Sequence, residues 1–228
     1  MLHARPQWGA RDSLGGLLLR NCGYVDTQTY VEAVAKWITQ HNILRRDEFR
    51  YDKVDLHASH VTYDGCKARA IIFCEGAGAR NNPWFSWLPI RPLTGEVLLI
   101  QADKPFEVIL NRGVYVVPSG GGQYCVGSTY RHGAAEGPTD EGRRELDTKL
   151  MELTTVNYRV TGQRSGVRPT TPDRKPLVGR HPDHACLWVF NGLGTKGISL
   201  APYFSNYLVN CLENEVLVNN AVDISRYK

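Results

Sequence analysis

The stretch LWVFNGLGTKGISLAP, residues 187–202, holds the densest chemical signal in the chain. Its first four residues form an apolar run of strand length. A glycine-rich turn follows, and then a helical pattern that runs to Leu212. Gly192, Gly194 and Gly197 have the spacing G-x-G-x-x-G, after a strand and at the start of a helix, which is the setting a dinucleotide-binding turn needs. Glycines there let the backbone approach a diphosphate, and the free N–H groups of a helix start favour negative charge. Such a fingerprint normally opens its mononucleotide-binding half, whereas here it is followed only by the helix and one short apolar run, 216–218, expected as a strand. A second reading is therefore a glycine turn required only for close helix–strand packing.

Outward from that turn, the chain divides into three parts. Residues 23–41 predict an amphipathic helix: Asp26 is the N-cap, and Tyr30, Ala33, Val34, Trp37 and Ile38 lie on one stripe. Residues 49–60 predict a strand pair, and 70–74 a short buried strand ending at Glu75-Gly-Ala-Gly78. The middle is different. Runs at 95–101, 106–110, 114–117 and 124–129 are separated by Asp-Lys-Pro, Asn-Arg-Gly and Ser-Gly-Gly-Gly, the pattern of an antiparallel meander. Thr139 then caps an acidic first turn, with Leu146, Leu150 and Leu153 on the apolar face of a second helix, and 158–167 predict another strand. The order is β/α, β-meander, β/α, so the expected fold class is α/β with an α+β insertion.

Composition excludes several function classes. A 42% hydrophobic and 22% charged content is that of an ordinary globular protein. A net charge of +4, with scattered basic residues and no Lys/Arg run, makes nucleic acid an unlikely partner. The mixed charges at 141–145 predict a solvated helix face. No apolar stretch approaches the ~18 residues of a membrane span, and 14–19 lacks the flanks of a secretory signal. Six cysteines without a C-x-x-C pair predict small, reduced, buried hydrophobes, and the expected compartment is the cytoplasm. His57/His60 and His181/His184 are both spaced i, i+3. In a strand that spacing puts two rings on opposite faces, and the second pair sits in a Pro-Asp turn without a third ligand, so no metal site is expected.

QRSGVRPTTPDRKPLVGRHP, residues 163–182, together with 187–202, resembles the C-terminal signature of the D-amino-acid oxidase superfamily of FAD-dependent oxidoreductases. That superfamily includes glycine oxidase, sarcosine-oxidase-like enzymes and the flavin domain of a tRNA wobble-uridine modification enzyme. The resembling pieces are the G-x-R-P-x-T-x-D-x-x-P-x-x-G turn and the glycine-rich strand-to-helix step ending in Leu-Ala-Pro. Gly23-Tyr-Val-Asp26, 73–79, 92–99 and 114–129 resemble further family elements, so the likeness runs with gaps from about residue 20 to the end.

The resemblance implies an incomplete Rossmann-like FAD-binding domain, residues 23–79 and 163–228, and an antiparallel substrate-binding sheet domain, residues 1–22 and 80–162. It also implies that Gly192, Gly194, Thr195, Lys196, Gly197 and Ile198 lie beside the flavin ring, with Gly76 and Ala77 touching it from a second strand. Backbone N–H groups there would stabilise charge on the reduced ring, as an oxyanion hole does. Arg168 matches the family's carboxylate clamp, a task its planar fork suits; its rival role is a structural ion pair with Asp173 or another acid. Tyr115 matches an aromatic hydroxyl facing the substrate, against an alternative as a packing residue, and Tyr124 is a poorer candidate. The implied reaction is oxidation of a C–N bond in an amino acid or secondary amine, by hydride transfer to flavin N5 and hydrolysis of the imine, with no protein nucleophile.

The family's opening strand, G-x-G-x-x-G and helix have no counterpart before residue 23. Three explanations follow: a truncated reading frame, a subunit whose partner or second copy supplies the missing unit, or a non-catalytic remnant that acts as a binding module without flavin. Loss of a βαβ unit would expose a parallel-sheet edge, which is an aggregation hazard.

Overall fold

The computed structural model describes residues 6–12, 15–133, 137–214 and 216–228. In chain order the regular elements are α1 (Thr27–Gln40), β1 (Val54–Leu56), β2 (Val61–Tyr63), β3 (Cys66–Ala68), β4 (Ile71–Phe73), β5 (Arg91–Ala102), β6 (Leu110–Arg112) and β7 (Val114–Pro118). They continue with β8 (Gln123–Gly127), β9 (Arg131–His132), α2 (Asp140–Leu153), β10 (Tyr158–Thr170), β11 (Leu177–Arg180), β12 (Leu187–Asn191) and α3 (Gly197–Asn214). These elements form two compact units, residues 1–44 with 94–166, and residues 45–93 with 167–228. Residues 23–44 thus group with the meander, and 80–93 with the glycine turns, which differs from the bounds expected from sequence.

The first unit is built on the antiparallel path β10-β5-β8-β7-β6, with β9 paired to β5. Alternation along the strands directs Leu98, Ile100, Val114, Val116 and Val126 onto one face, where Leu146, Leu150 and Leu153 of α2 cover them. Of the expected run at 106–110 only Leu110 lies in a strand. Phe106 packs instead against the Tyr124 ring and donates its N–H to the Tyr124 hydroxyl at 3.0 Å, and both partly buried rings pack against the core. Helix α2 starts where Thr139 accepts from the Gly142 N–H at 2.9 Å, as its position predicts. Its last turn is held by Arg11, which donates to the Met151 and Thr154 carbonyls at 2.8 and 2.9 Å.

The N-cap of α1 forms as expected, Asp26 accepting from the Thr29 N–H at 3.0 Å. None of the residues of α1 is buried.

The second unit has a mixed sheet in the order β11-β12-β4. Strand β12 runs antiparallel to β11 and parallel to β4. Leu187 and Val189 face a core of Phe73, Phe85, Leu88 and Ile224, while Trp188 and Phe190 face Leu208 and Cys211 of α3. Covering on both faces is what a strand with a parallel neighbour requires. Strand β4 is the sheet's edge among the described residues, and Ile72 is 38% exposed.

Several expectations change. The expected strand pair at 49–60 contains only β1, which opens a three-stranded antiparallel meander, β1-β2-β3, whose tight second turn is made by Asp64 and Gly65 at positive φ (47° and 80°). His57 and His60 flank the turn between β1 and β2, so their rings stack at 4.2 Å and do not lie on opposite faces. Residues 216–218 are irregular, not a strand. Of the six free cysteines only Cys186 and Cys211 are buried; Cys22, Cys66 and Cys74 are exposed.

Candidate functional site

Two glycine turns leave the carboxyl ends of two neighbouring parallel strands. The first, at Gly76, follows β4 and begins a 3-10 turn, Gly76–Asn81; the second, at Gly192, follows β12 and leads through Gly194–Lys196 into α3. Gly76, Gly192 and Gly194 have φ values of 56°, 71° and 54°, a region that side chains rarely enter. At the outer rim of an α/β sheet, this end of the strands is where ligands bind.

The three glycines do different work. A Cβ on Gly192 would lie 2.9 Å from Thr171 Cγ2 and 3.0 Å from Leu177 Cγ, so this residue is a packing glycine. Beside Gly76 nothing comes nearer than Pro169 at 4.0 Å, and beside Gly194 nothing nearer than Thr170 at 3.5 Å. Pro169, Thr170 and Thr171, the residues just after Arg168, therefore pass against both turns. Ala77, Gly197 and Ile198 are half-buried, whereas Thr195 and Lys196 are exposed. The first N–H groups of a helix have no partner within it, and those of α3 begin at this turn.

Three side chains pin the turns. The Tyr51 hydroxyl donates to Glu75 Oε1 at 2.5 Å, and Asn82 Nδ2 donates to Glu75 Oε2 at 2.8 Å. Burial and the Glu75 carboxylate together push the Tyr51 hydroxyl up to about 12. Asn191, 3% exposed, donates from Nδ2 to the Gly76 carbonyl at 2.9 Å and accepts the Gly192 N–H on Oδ1 at 2.8 Å. Sequence reading passed over Asn191, since an asparagine before a glycine carries only a turn signal.

Arg168 is half-buried near the end of β10. Asp173, the acid expected as its rival partner, is engaged by Arg226 at 2.8 Å. Burial raises the Asp173 carboxyl, but Arg226 and Tyr227 outweigh it and hold the group well below the usual carboxylate range. In the other unit Tyr115 points away from α2, since its neighbours Val114 and Val116 fill the core. Its hydroxyl would be 2.8 Å from a Cβ on Gly127, so the ring lies across a position that only glycine can hold. Burial pushes the neighbouring Cys125 thiol up, opposed by Arg164 and by a hydrogen bond with Tyr115.

The second histidine pair is structural. His181 is buried, accepts the Asp183 N–H on Nδ1 at 3.1 Å and packs edge-on to Phe85; burial and His184 lower its proton affinity. Among the described residues no group of three or more metal-ligating side chains occurs.

The residues at the turns suit a flavin. At Gly76 and Gly194 the φ values keep a side chain away and a Cβ would meet only ordinary contacts, so bare backbone can face a flat group, and the start of α3 offers N–H donors to its electron-rich edge. A diphosphate fits less well at Gly192. A mononucleotide half is strand–helix–strand, and both neighbours of β12, β11 and β4, precede it in the chain.

Comparison with known proteins agrees. A family model described as "FAD dependent oxidoreductase" matches residues 2–210. The glycine oxidase of Pseudomonas putida is 32% identical over 120 residues, which are 50% of this chain and 33% of that protein. The tRNA 5-methylaminomethyl-2-thiouridine biosynthesis bifunctional protein MnmC of Idiomarina loihiensis is 29% identical over 154 residues, 62% of this chain and 25% of that one. Among solved structures, glycine oxidase from Geobacillus kaustophilus aligns with a TM-score of 0.62 and 25% identity, covering 77% of this chain and 50% of its own. The chain thus spans between a quarter and a half of the length of these relatives. The mixed α/β architecture with antiparallel sheets matches theirs, and the chain belongs to the DAO family of FAD-dependent oxidoreductases.

Proposed function

We propose that this chain carries the flavin-ring and substrate-binding part of an enzyme that oxidises a C–N bond in an amino acid or secondary amine. The observation that carries this reading is the pair of glycine turns at the carboxyl ends of β4 and β12, with positive φ and no crowding at Gly76 and Gly194. When bound, FAD supplies the two-electron chemistry, taking a hydride from the substrate carbon at N5 and leaving an imine that water hydrolyses. The chain's own part is binding and orientation. Gly76 and Ala77 on one side, and Gly194 to Ile198 on the other, hold the ring through backbone groups, with the N–H groups of Thr195, Gly197 and Ile198 favouring negative charge along its edge. Arg168 clamps a substrate carboxylate, and Tyr115 is the candidate hydroxyl of the antiparallel sheet.

The adenosine diphosphate end is expected to be held by residues outside these two units. Free cysteines fit a cytoplasmic setting, and among the described residues no helix is long and apolar enough to cross a membrane. A non-catalytic binding module is the competing reading. Visible spectra of the purified chain, titrated with FAD, decide between them: a flavin band that shifts and saturates is expected. A protein that leaves the FAD spectrum unchanged would sink the flavin reading and favour the module.

A further inference from the structure

We propose that Asn191 is a positioning residue that couples the two glycine turns and so sets the geometry of the cradle; its consequence for the cofactor rests on the FAD reading above. The backbone ladder between β12 and β4 ends at the pair Val189–Phe73. Beyond it the two chains turn apart, and the cross-strand bonding passes to one side chain. Asn191 Nδ2 reaches the Gly76 carbonyl at 2.9 Å, while Oδ1 receives the N–H of Gly192 at 2.8 Å.

The chemistry explains why a carboxamide stands there. One donor and one acceptor are needed on the same short stem, and asparagine offers both. Aspartate could only accept, alanine could do neither, and glutamine would add a methylene where the residue is 3% exposed. The need for a coupling device follows from the glycines themselves. Gly76 and Gly192, at φ values of 56° and 71°, have no side chain to restrain them and lose the most conformational freedom on ordering.

Each turn also has its own anchor. Glu75 is held by Tyr51 and Asn82, and Gly192 is backed by Thr171 and Leu177. Removing Asn191 should therefore leave both turns folded but independent. A site held to the tolerance that a ligand needs is sensitive to that loss of register.

The test is hydrogen–deuterium exchange on the full chain without cofactor, followed by FAD titration, for wild type, Asn191→Ala, Asn191→Asp and Val189→Ala. Val189 is fully buried on the same strand, so its variant loses stability without touching either turn. Asn191→Ala should raise exchange about tenfold at both 74–79 and 192–196. Asn191→Asp, which keeps the acceptor, should raise it only at 74–79. The FAD dissociation constant should rise about tenfold for Asn191→Ala and stay within twofold for Val189→Ala. Unchanged exchange at the two turns, or the same pattern in Val189→Ala, would overturn the coupling. Wild-type and Asn191→Ala chains binding FAD equally well would overturn the positioning role. A wild type that ignores FAD while Asn191→Ala still loosens both turns would support the coupling and sink the flavin reading alone.

Discussion

At the scale of single residues, the glycines of G-x-G-x-x-G share a motif without sharing a role. Gly192 is crowded by Thr171 and Leu177, so the packing reading holds at that position. Gly194, two residues on, meets nothing nearer than Thr170 at 3.5 Å. A motif spells spacing but not what stands behind each Cα, so the two were indistinguishable in the sequence. Asn191 was invisible for a related reason, since its partner Gly76 is 115 residues away. Arg168 is proposed on a local signal, its neighbours Gly166 and Pro169. If it clamps a carboxylate, Arg168→Ala should raise KM for an amino-acid substrate by about 10- to 100-fold, as expected for losing a charge-assisted pair. Flavin content should be unchanged. Steady-state kinetics with absorbance of the bound flavin check this, and loss of flavin would place Arg168 in the cofactor site.

Elements were read best where period and caps agree. Both Asp26 and Thr139 cap as expected, because an N-cap is a contact three residues long. Expectation missed what lies under the start of α2. Glu96, fully buried on β5, accepts the Thr139 N–H at 2.8 Å, the Thr139 hydroxyl at 2.7 Å and Gln163 Nε2 at 2.6 Å. Gly142 is needed above it, because a Cβ there would lie 2.4 Å from the carboxyl group. Burial raises the Glu96 carboxyl, but the Thr139 and Gln163 donors, with Arg131, prevail and hold it below its ordinary value of 4.5. A carboxylate depressed in the folded state stabilises fully above its unfolded pKa, and that contribution is lost as pH falls through the folded value. Glu96→Gln should therefore cost about 1–3 kcal/mol at pH 7, since two donors face one amide oxygen site. The gap from wild type should narrow as pH falls below the ordinary carboxylate value and through the lower folded one. Urea melts at pH 7, 5 and 3.5 measure it, and a pH-independent gap would show that Glu96 is neutral when folded.

For the whole molecule, the sequence predicts more burial than the structure provides. The apolar stripe of α1 has the right period, yet Trp37 is 55% exposed and no residue of the helix is buried. Leu19 is 70% exposed, and β4 is an edge with Ile72 exposed. Surfaces of this kind drive association. Sedimentation of the full chain should show concentration-dependent self-association, and replacing Val34 and Trp37 by glutamate should shift it at least several-fold towards monomer. An unchanged profile would mean that this stripe is not what associates. By itself, the sequence determined the family, the class of fold, the helix starts and the strand-to-helix turn, because each is written in residues close together along the chain. Only the tertiary structure decided which glycine is packing and which is uncrowded, what joins Gly76 to Gly192, and that Glu96 lies under α2. Those contacts form between segments tens to more than a hundred residues apart, and their energies depend on distances and burial that no local pattern encodes.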